Sequence, residues 1–190
     1  MDDPLPPLPP PMLLAIAHAP SDVRDRLRWL LQFDRRLGQL VERASEPLFA
    51  QMRLAWWRDI LAKSAADRPR GEPLLALLHA LGDDPVLLDA ARQLVDAAEL
   101  GAADDEAKAR ADRAMAIGKA YAAWTGADRK QAESLALAWA GPDVEPGNAA
   151  LTSYPRIFRP LTILAMSEQL ETDAVRTAGL RLSWHALTGR

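Results

Sequence analysis

Ser45-Glu-Pro-Leu-Phe-Ala-Gln-Met-Arg-Leu-Ala-Trp-Trp-Arg-Asp-Ile-Leu61 reads as one helix with a marked start. Ser45 is the capping residue, Pro47 sits in the first turn where its missing amide costs nothing, and no glycine or second proline follows. Leu48, Phe49, Met52, Ala55, Trp56 and Ile60 fall at helical spacing and form the expected apolar face. Two adjacent tryptophans on a helix point about 100° apart, so Trp56 and Trp57 cannot both enter one seam. One of them is expected to pack against a second element.

Outward from this helix the same character continues in both directions. From Pro20 onward Ala, Leu, Arg, Glu and Gln dominate, and β-branched runs with period-two alternation are missing, so the fold class is all-α. Ser21 or Asp22 is expected to cap a helix ending near Gln39 to Arg43, with Val23, Leu27, Leu30, Leu31, Leu37, Leu40 and Val41 inward. Gly38 within it weakens the helix by about 1 kcal/mol relative to alanine and marks a close packing point or a kink. Further helices are expected over 72–81, from Asp84-Pro85 to Leu100, from Asp104 to Trp124 and from Asp128 to Ala140. Two prolines and two glycines between Gly141 and Asn148 demand a loop, placed at 141–155. Closing helices are expected within 156–166 and 173–187.

The start of the chain is different in kind. Residues 1–11 hold six prolines and two acidic residues, which excludes a secretion signal at this position and predicts an extended or disordered Pro-rich arm ahead of a single helical domain, 12–190. Pro4, Pro7 and Pro10 have PxxP spacing, so docking into an aromatic groove of a partner is one reading. A surface-draped arm is the other.

Composition removes several classes of function. The 190 residues hold 23 Lys and Arg against 26 Asp and Glu, for a net charge of −3, without the basic surplus of a nucleic-acid binder. With no cysteine there is no disulfide scaffold, thiol nucleophile or thiolate metal site. Walker A, GxSxG, GxGxxG and HExxH patterns are missing, and His18, His79 and His185 are far apart in sequence. Asp83, Asp84 and Asp89 suggest a magnesium site at first sight, but Asp84 before Pro85 reads better as a helix cap, and Asp104-Asp105-Glu106 as acid at a helix start. No stretch reaches the ~20 apolar residues of a membrane span.

What remains is the cluster around the first two long helices. Arg35, Arg36, Arg43, Arg53 and Arg58 gather there, with Asp34, Glu42, Glu46 and Asp59 near enough to pair with some of them. A solvated, salt-bridged helix pair and a cationic mouth for a diphosphate both fit.

The run from Ala17-His-Ala-Pro-Ser-Asp-Val-Arg24 to Leu61 resembles the squalene/phytoene synthase family, most specifically over 45–61. Weaker likeness continues through Gly71-Glu-Pro73, Leu94 to Glu99, Arg159-Pro-Leu161 and Leu182 to Arg190. The resemblance implies a shortened isoprenoid-synthase-like helical bundle in a bacterial, cytoplasmic protein. Active members of that family use two aspartate-rich helices to hold Mg²⁺ against prenyl diphosphates. Laid on this chain, the arginine of the first motif matches Arg35, but its two aspartates fall on Gly38 and Glu42, and no counterpart of the second motif is found beyond Glu133. A side chain without oxygen at 38 leaves a magnesium cluster under-coordinated.

The expectation is therefore a protein that has lost prenyl transfer, with no catalytic residue, metal ligand or cofactor assigned. It is then a binding, scaffold or assembly protein, resembling the non-catalytic branch that acts in respiratory complex I assembly. Its partner would be a protein or a prenyl lipid, with peripheral membrane contact left open and no nucleic acid. Arg35, Glu42 and Arg53 would hold a diphosphate if one binds, and Trp56 and Trp57 are the family-signature packing residues. The alternative is a divergent prenyl-diphosphate transferase of terpenoid biosynthesis, using Mg²⁺.

Overall fold

A computed structural model describes residues 5–103, 105–141 and 154–171, with side chains to 168. Among these there are helices and turns and no strand, so the chain is all-α. The helices are α1 (Pro10–His18), α2 (Arg24–Glu42), α3 (Pro47–Ala62), α4 (Pro73–Ala80), α5 (Pro85–Gly101), α6 (Glu106–Thr125), α7 (Arg129–Trp139) and α8 (Arg159–Glu171). Short 3₁₀ turns at Ala65–Asp67 and Arg156–Phe158 lie between them.

Capping explains most of the boundaries. Asp84 accepts the amides of Val86 and Leu87 at 2.8 and 3.0 Å and Asp128 accepts Gln131, so these two acids start their helices where the spacing predicts; Asp105 accepts Lys108 and caps α6 one residue after the expected Asp104. Gly126, at φ 67°, ends α6 in the left-handed conformation that glycine adopts without strain.

Three further starts differ from expectation. Pro10 and Pro11 belong to α1 rather than to the arm, because proline is tolerated in a first helical turn; of the preceding residues, Leu5 and Leu8 pack on the core and Pro6 is buried. At α2, Pro20 O accepts the amides of Val23 and Arg24, each at 3.0 Å, so neither Ser21 nor Asp22 caps it. At α3, Pro47 holds Glu46 extended at φ −140° and ψ 143°, which makes Glu46 rather than Ser45 the boundary residue.

The helices pack in a circuit, α5 on α6, α6 on α7, α7 on α8 and α8 on α1, with α2 touching α1, α3, α4, α5 and α6. Its central place explains why α2 is buried on nearly every side, Asp34 and Arg36 included. The tightest seam joins α6 to α7: a Cβ on Gly118 would stand 2.9 Å from Ala132 O and 2.9 Å from Ala136 Cβ. Gly38 is not a close packing point and does not interrupt its helix. A Cβ there would meet only Glu42 Oε1, at 4.0 Å, and α2 runs through it as one helix.

No helix among the described residues is long and apolar enough to cross a membrane. The expected 141–155 loop lies mostly outside the described residues, and the 173–187 helix entirely so.

Candidate functional site

An aromatic series runs from the core to the surface along α2 and α3. Trp29 is buried, donates its indole N–H to Leu74 O at 2.7 Å and stacks on Phe33, ring centres 5.0 Å apart. Phe33 meets the edge of Trp57 at 4.9 Å, and Trp57 meets Trp56 at 5.0 Å and 79°. Trp57 is 3% exposed and Trp56 42%. The 100° offset is thus resolved with Trp57 inward against α2 and Trp56 outward.

That choice turns the whole of α3. Ala50, Leu54, Trp57, Ile60 and Leu61 are buried, whereas Leu48, Phe49 and Met52, expected in the core, are exposed together with Trp56. The helix is apolar around most of its circumference, so spacing alone permits either face. Packing of Trp57 on Phe33 selects the face that holds Ala50, Leu54 and Leu61.

Two cavities flank α2. The first, of about 300 Å³, opens between α2, α5 and α6 and is lined by Asp34, Gly38, Glu42, Glu106, Arg110 and Arg113 among smaller apolar groups. Asp34, Gly38 and Glu42 stand at i, i+4 and i+8, one stripe of α2 facing that space. Asp34 is buried and ion-paired with Arg113 Nε at 3.1 Å, and the Arg113 guanidinium also lies 5.1 Å from the Trp139 ring centre. Burial pushes the Asp34 carboxyl above its ordinary range, and Arg113 and then Arg35 oppose that shift without cancelling it. The reason is geometric, since the Arg113 side chain is still 38% exposed and spends part of its field in water.

The second cavity, of about 470 Å³, is a groove between α2, α3 and the segment before α4. Leu40, Arg53, Trp56, Trp57, Pro69, Gly71 and Glu72 line it with Arg36, which pairs with Glu72 at 3.9 Å.

The three residues expected at a diphosphate are not brought together. Glu42 lines the first cavity, Arg53 the groove, and Arg35 neither. Trp56 and Trp57 both line the groove. Of the remaining arginines, Arg58 reaches Glu99 on α5 rather than its sequence neighbours. The acidic motif at the α5 start is spent locally: Asp84 also takes Arg26 at 3.0 Å, Asp83 takes Arg68, and Asp89 accepts Gln93.

A magnesium cluster on the expected helix does not fit these residues. Gly38 offers no oxygen, Asp34 is committed to Arg113, and among the described residues no three acidic or histidine side chains are placed to share a cation. Sequence reasoning missed Trp29, Phe33 and Arg113. A tryptophan four residues before a phenylalanine was a usable signal for the first two, but nothing in the spacing links Arg113 to Asp34, which lies seventy-nine positions earlier.

Neither a family model nor a curated protein nor a solved structure matches the chain.

Proposed function

We propose that this chain is a squalene/phytoene-synthase-like helical protein that works by binding, as a scaffold or assembly protein, and not by prenyl transfer. One observation carries the reading: the helix with the strongest family likeness turns Leu48, Phe49, Met52 and Trp56 to the surface. Four large apolar side chains along one helix form a patch of the size that marks interaction sites on small proteins. The interior supports the same view. Where a transferase needs free carboxylates converging on a metal, this chain has a glycine, a neutralised aspartate and an exposed glutamate. On this reading the protein acts in the cytoplasm or at a membrane surface, with a protein partner or a prenyl lipid.

The transferase reading draws on one observation of its own, the cavity beside Gly38 and Glu42, whose volume is at the small end of ligand pockets. The two are separated by incubating purified protein with Mg²⁺ and farnesyl or geranylgeranyl diphosphate. No pyrophosphate release is expected. Release that Glu42→Ala abolishes would overturn the proposal.

A further inference from the structure

We propose that the groove between α2, α3 and the segment before α4 binds a small aromatic monocarboxylate, with the carboxylate on Arg36 and Arg53 and the ring on Trp56. The inference stands on the groove alone and goes beyond the reading of the chain as a binding protein.

Each helical wall supplies a cation and an apolar group one turn apart. On α2 these are Arg36 and Leu40, and on α3 they are Arg53 with Trp56 and Trp57, at i, i+3 and i+4. Arg36 is the unusual member. Its side chain is only 5% exposed, yet it lines an open groove of about 470 Å³, a volume within the about 300–1,000 Å³ of small-molecule sites. Its ion pair with Glu72, at 3.9 Å, is longer than a hydrogen bond, and the same Glu72 oxygen also caps α4 by accepting the Leu74 amide at 3.4 Å.

The walls are held before any ligand arrives. Trp56 is braced edge-on by Trp57, and Trp57 by Phe33 on α2. The segment opposite is fixed as well, since Arg68 donates to Lys63 O at 3.0 Å and pairs with Asp83. A site that needs no rearrangement keeps more of its contact energy as affinity.

Charge selects the ligand. Among the described lining residues Arg36 and Arg53 face one acid, Glu72, a surplus of one positive charge that a monoanion matches. A planar guanidinium meets a carboxylate with two parallel hydrogen bonds. A diphosphate fits less well, because it sets several negative charges beside Glu72, and the cost of stripping water from an anion at the buried Trp57 rises with the square of its charge. A neutral apolar molecule would cover Arg36 and remove its water without replacing it.

The probe is 1-naphthoate, followed through the indole N–H signals of the six tryptophans in proton–nitrogen correlation spectra. It should move the Trp56 signal, identified by its loss in Trp56→Phe, and leave that of Trp29, whose N–H is held by Leu74 O. The Kd should be about 0.1–1 mM, as ligands of that size allow. 1-Naphthylmethanol, which lacks the carboxylate, should bind at least about tenfold more weakly, and pyrophosphate should not displace the naphthoate. Arg53→Gln should weaken binding about tenfold and Trp56→Ala about three- to tenfold; both side chains are exposed, so both variants keep their helical circular dichroism.

An unmoved Trp56 signal well above that Kd overturns the inference. So does equal affinity for the alcohol, which would make this an apolar cleft only, and so does displacement by pyrophosphate, which would make it a phosphate site. Undiminished binding in both Arg53→Gln and Trp56→Ala would put the probe elsewhere and overturn it too.

Discussion

Alanine at Gly118 and alanine at Gly38 should move stability in opposite directions, and the structure sets the size of each effect. Both glycines lie inside helices, so each alanine gains about 1 kcal/mol of helix propensity. At Gly118 the new Cβ would sit 2.9 Å from Ala132 O, 2.9 Å from Ala136 Cβ and 3.2 Å from Glu133 Cα, all on α7. Two of these are backbone atoms that cannot rotate aside. Restoring ordinary contact of about 3.5–4.0 Å needs α7 to recede by about 0.5–1 Å. Overpacking of that kind costs about 1–3 kcal/mol, and it strains a seam made of Ala114, Ala136 and Ala140, which leaves a net loss of about 0–2 kcal/mol after the propensity gain.

At Gly38 the nearest atom is Glu42 Oε1 at 4.0 Å, so the propensity gain stands nearly alone and Gly38→Ala should stabilise by about 0.5–1 kcal/mol. Urea titrations followed by circular dichroism read both as shifts in midpoint at constant slope. Thermal midpoints should part in the same sense, by about 2–4 °C per kcal/mol for a chain of this size. A Gly118→Ala protein as stable as Gly38→Ala would refute the close α6–α7 approach. A destabilised Gly38→Ala would show that position 38 is a packing point after all.

The aromatic series makes a second contrast: Trp57→Ala should cost about 3–5 kcal/mol as a buried truncation, while Trp56→Ala should leave the urea midpoint nearly unchanged, and equal losses in the two would contradict the orientation of α3. The third concerns pH. Burial raises the Asp34 carboxyl above its ordinary 3.8, so the native state holds this proton more tightly than the unfolded chain. The contribution of Asp34 to stability is therefore full below 3.8, falls as pH rises toward the elevated native value, and is constant beyond it. Wild type should lose ground to Asp34→Asn across that window in urea midpoints taken from pH 4 to 7; a wild type that gains ground would mean that Arg113 outweighs burial.

The helices themselves were legible because their punctuation is local. Asp84-Pro85, Asp128 and Gly126 act through hydrogen bonds and dihedrals within a few residues, and each does in the structure what its residue type requires. Facing was not legible for α3, since its apolar residues surround the axis and the choice is made by Phe33 on another helix. The same limit hid the α2–α6 ion pair. Asp34 was visible as a charge near arginines, but its partner came from far along the chain, on α6. Glycine shows the limit again: Gly38 and Gly118 look alike in sequence, and only the distance to α7 separates an idle position from a tight one.

These placements bear on what a signature motif can mean. In a bundle that encloses a reaction, the residues that hold the substrate face inward and the signature should be read from the cavity outward. Here α2 presents Asp34, Gly38 and Glu42 to a cavity of about 300 Å³, and its one buried carboxylate is already matched by Arg113, so the interior has little charge left to offer a cation. The neighbouring α3 buries Trp57 against α2 and leaves its other apolar face in water. Exposing that much apolar surface works against solubility unless something covers it. A helix that is anchored on one side and apolar on the other is therefore best understood through its contact.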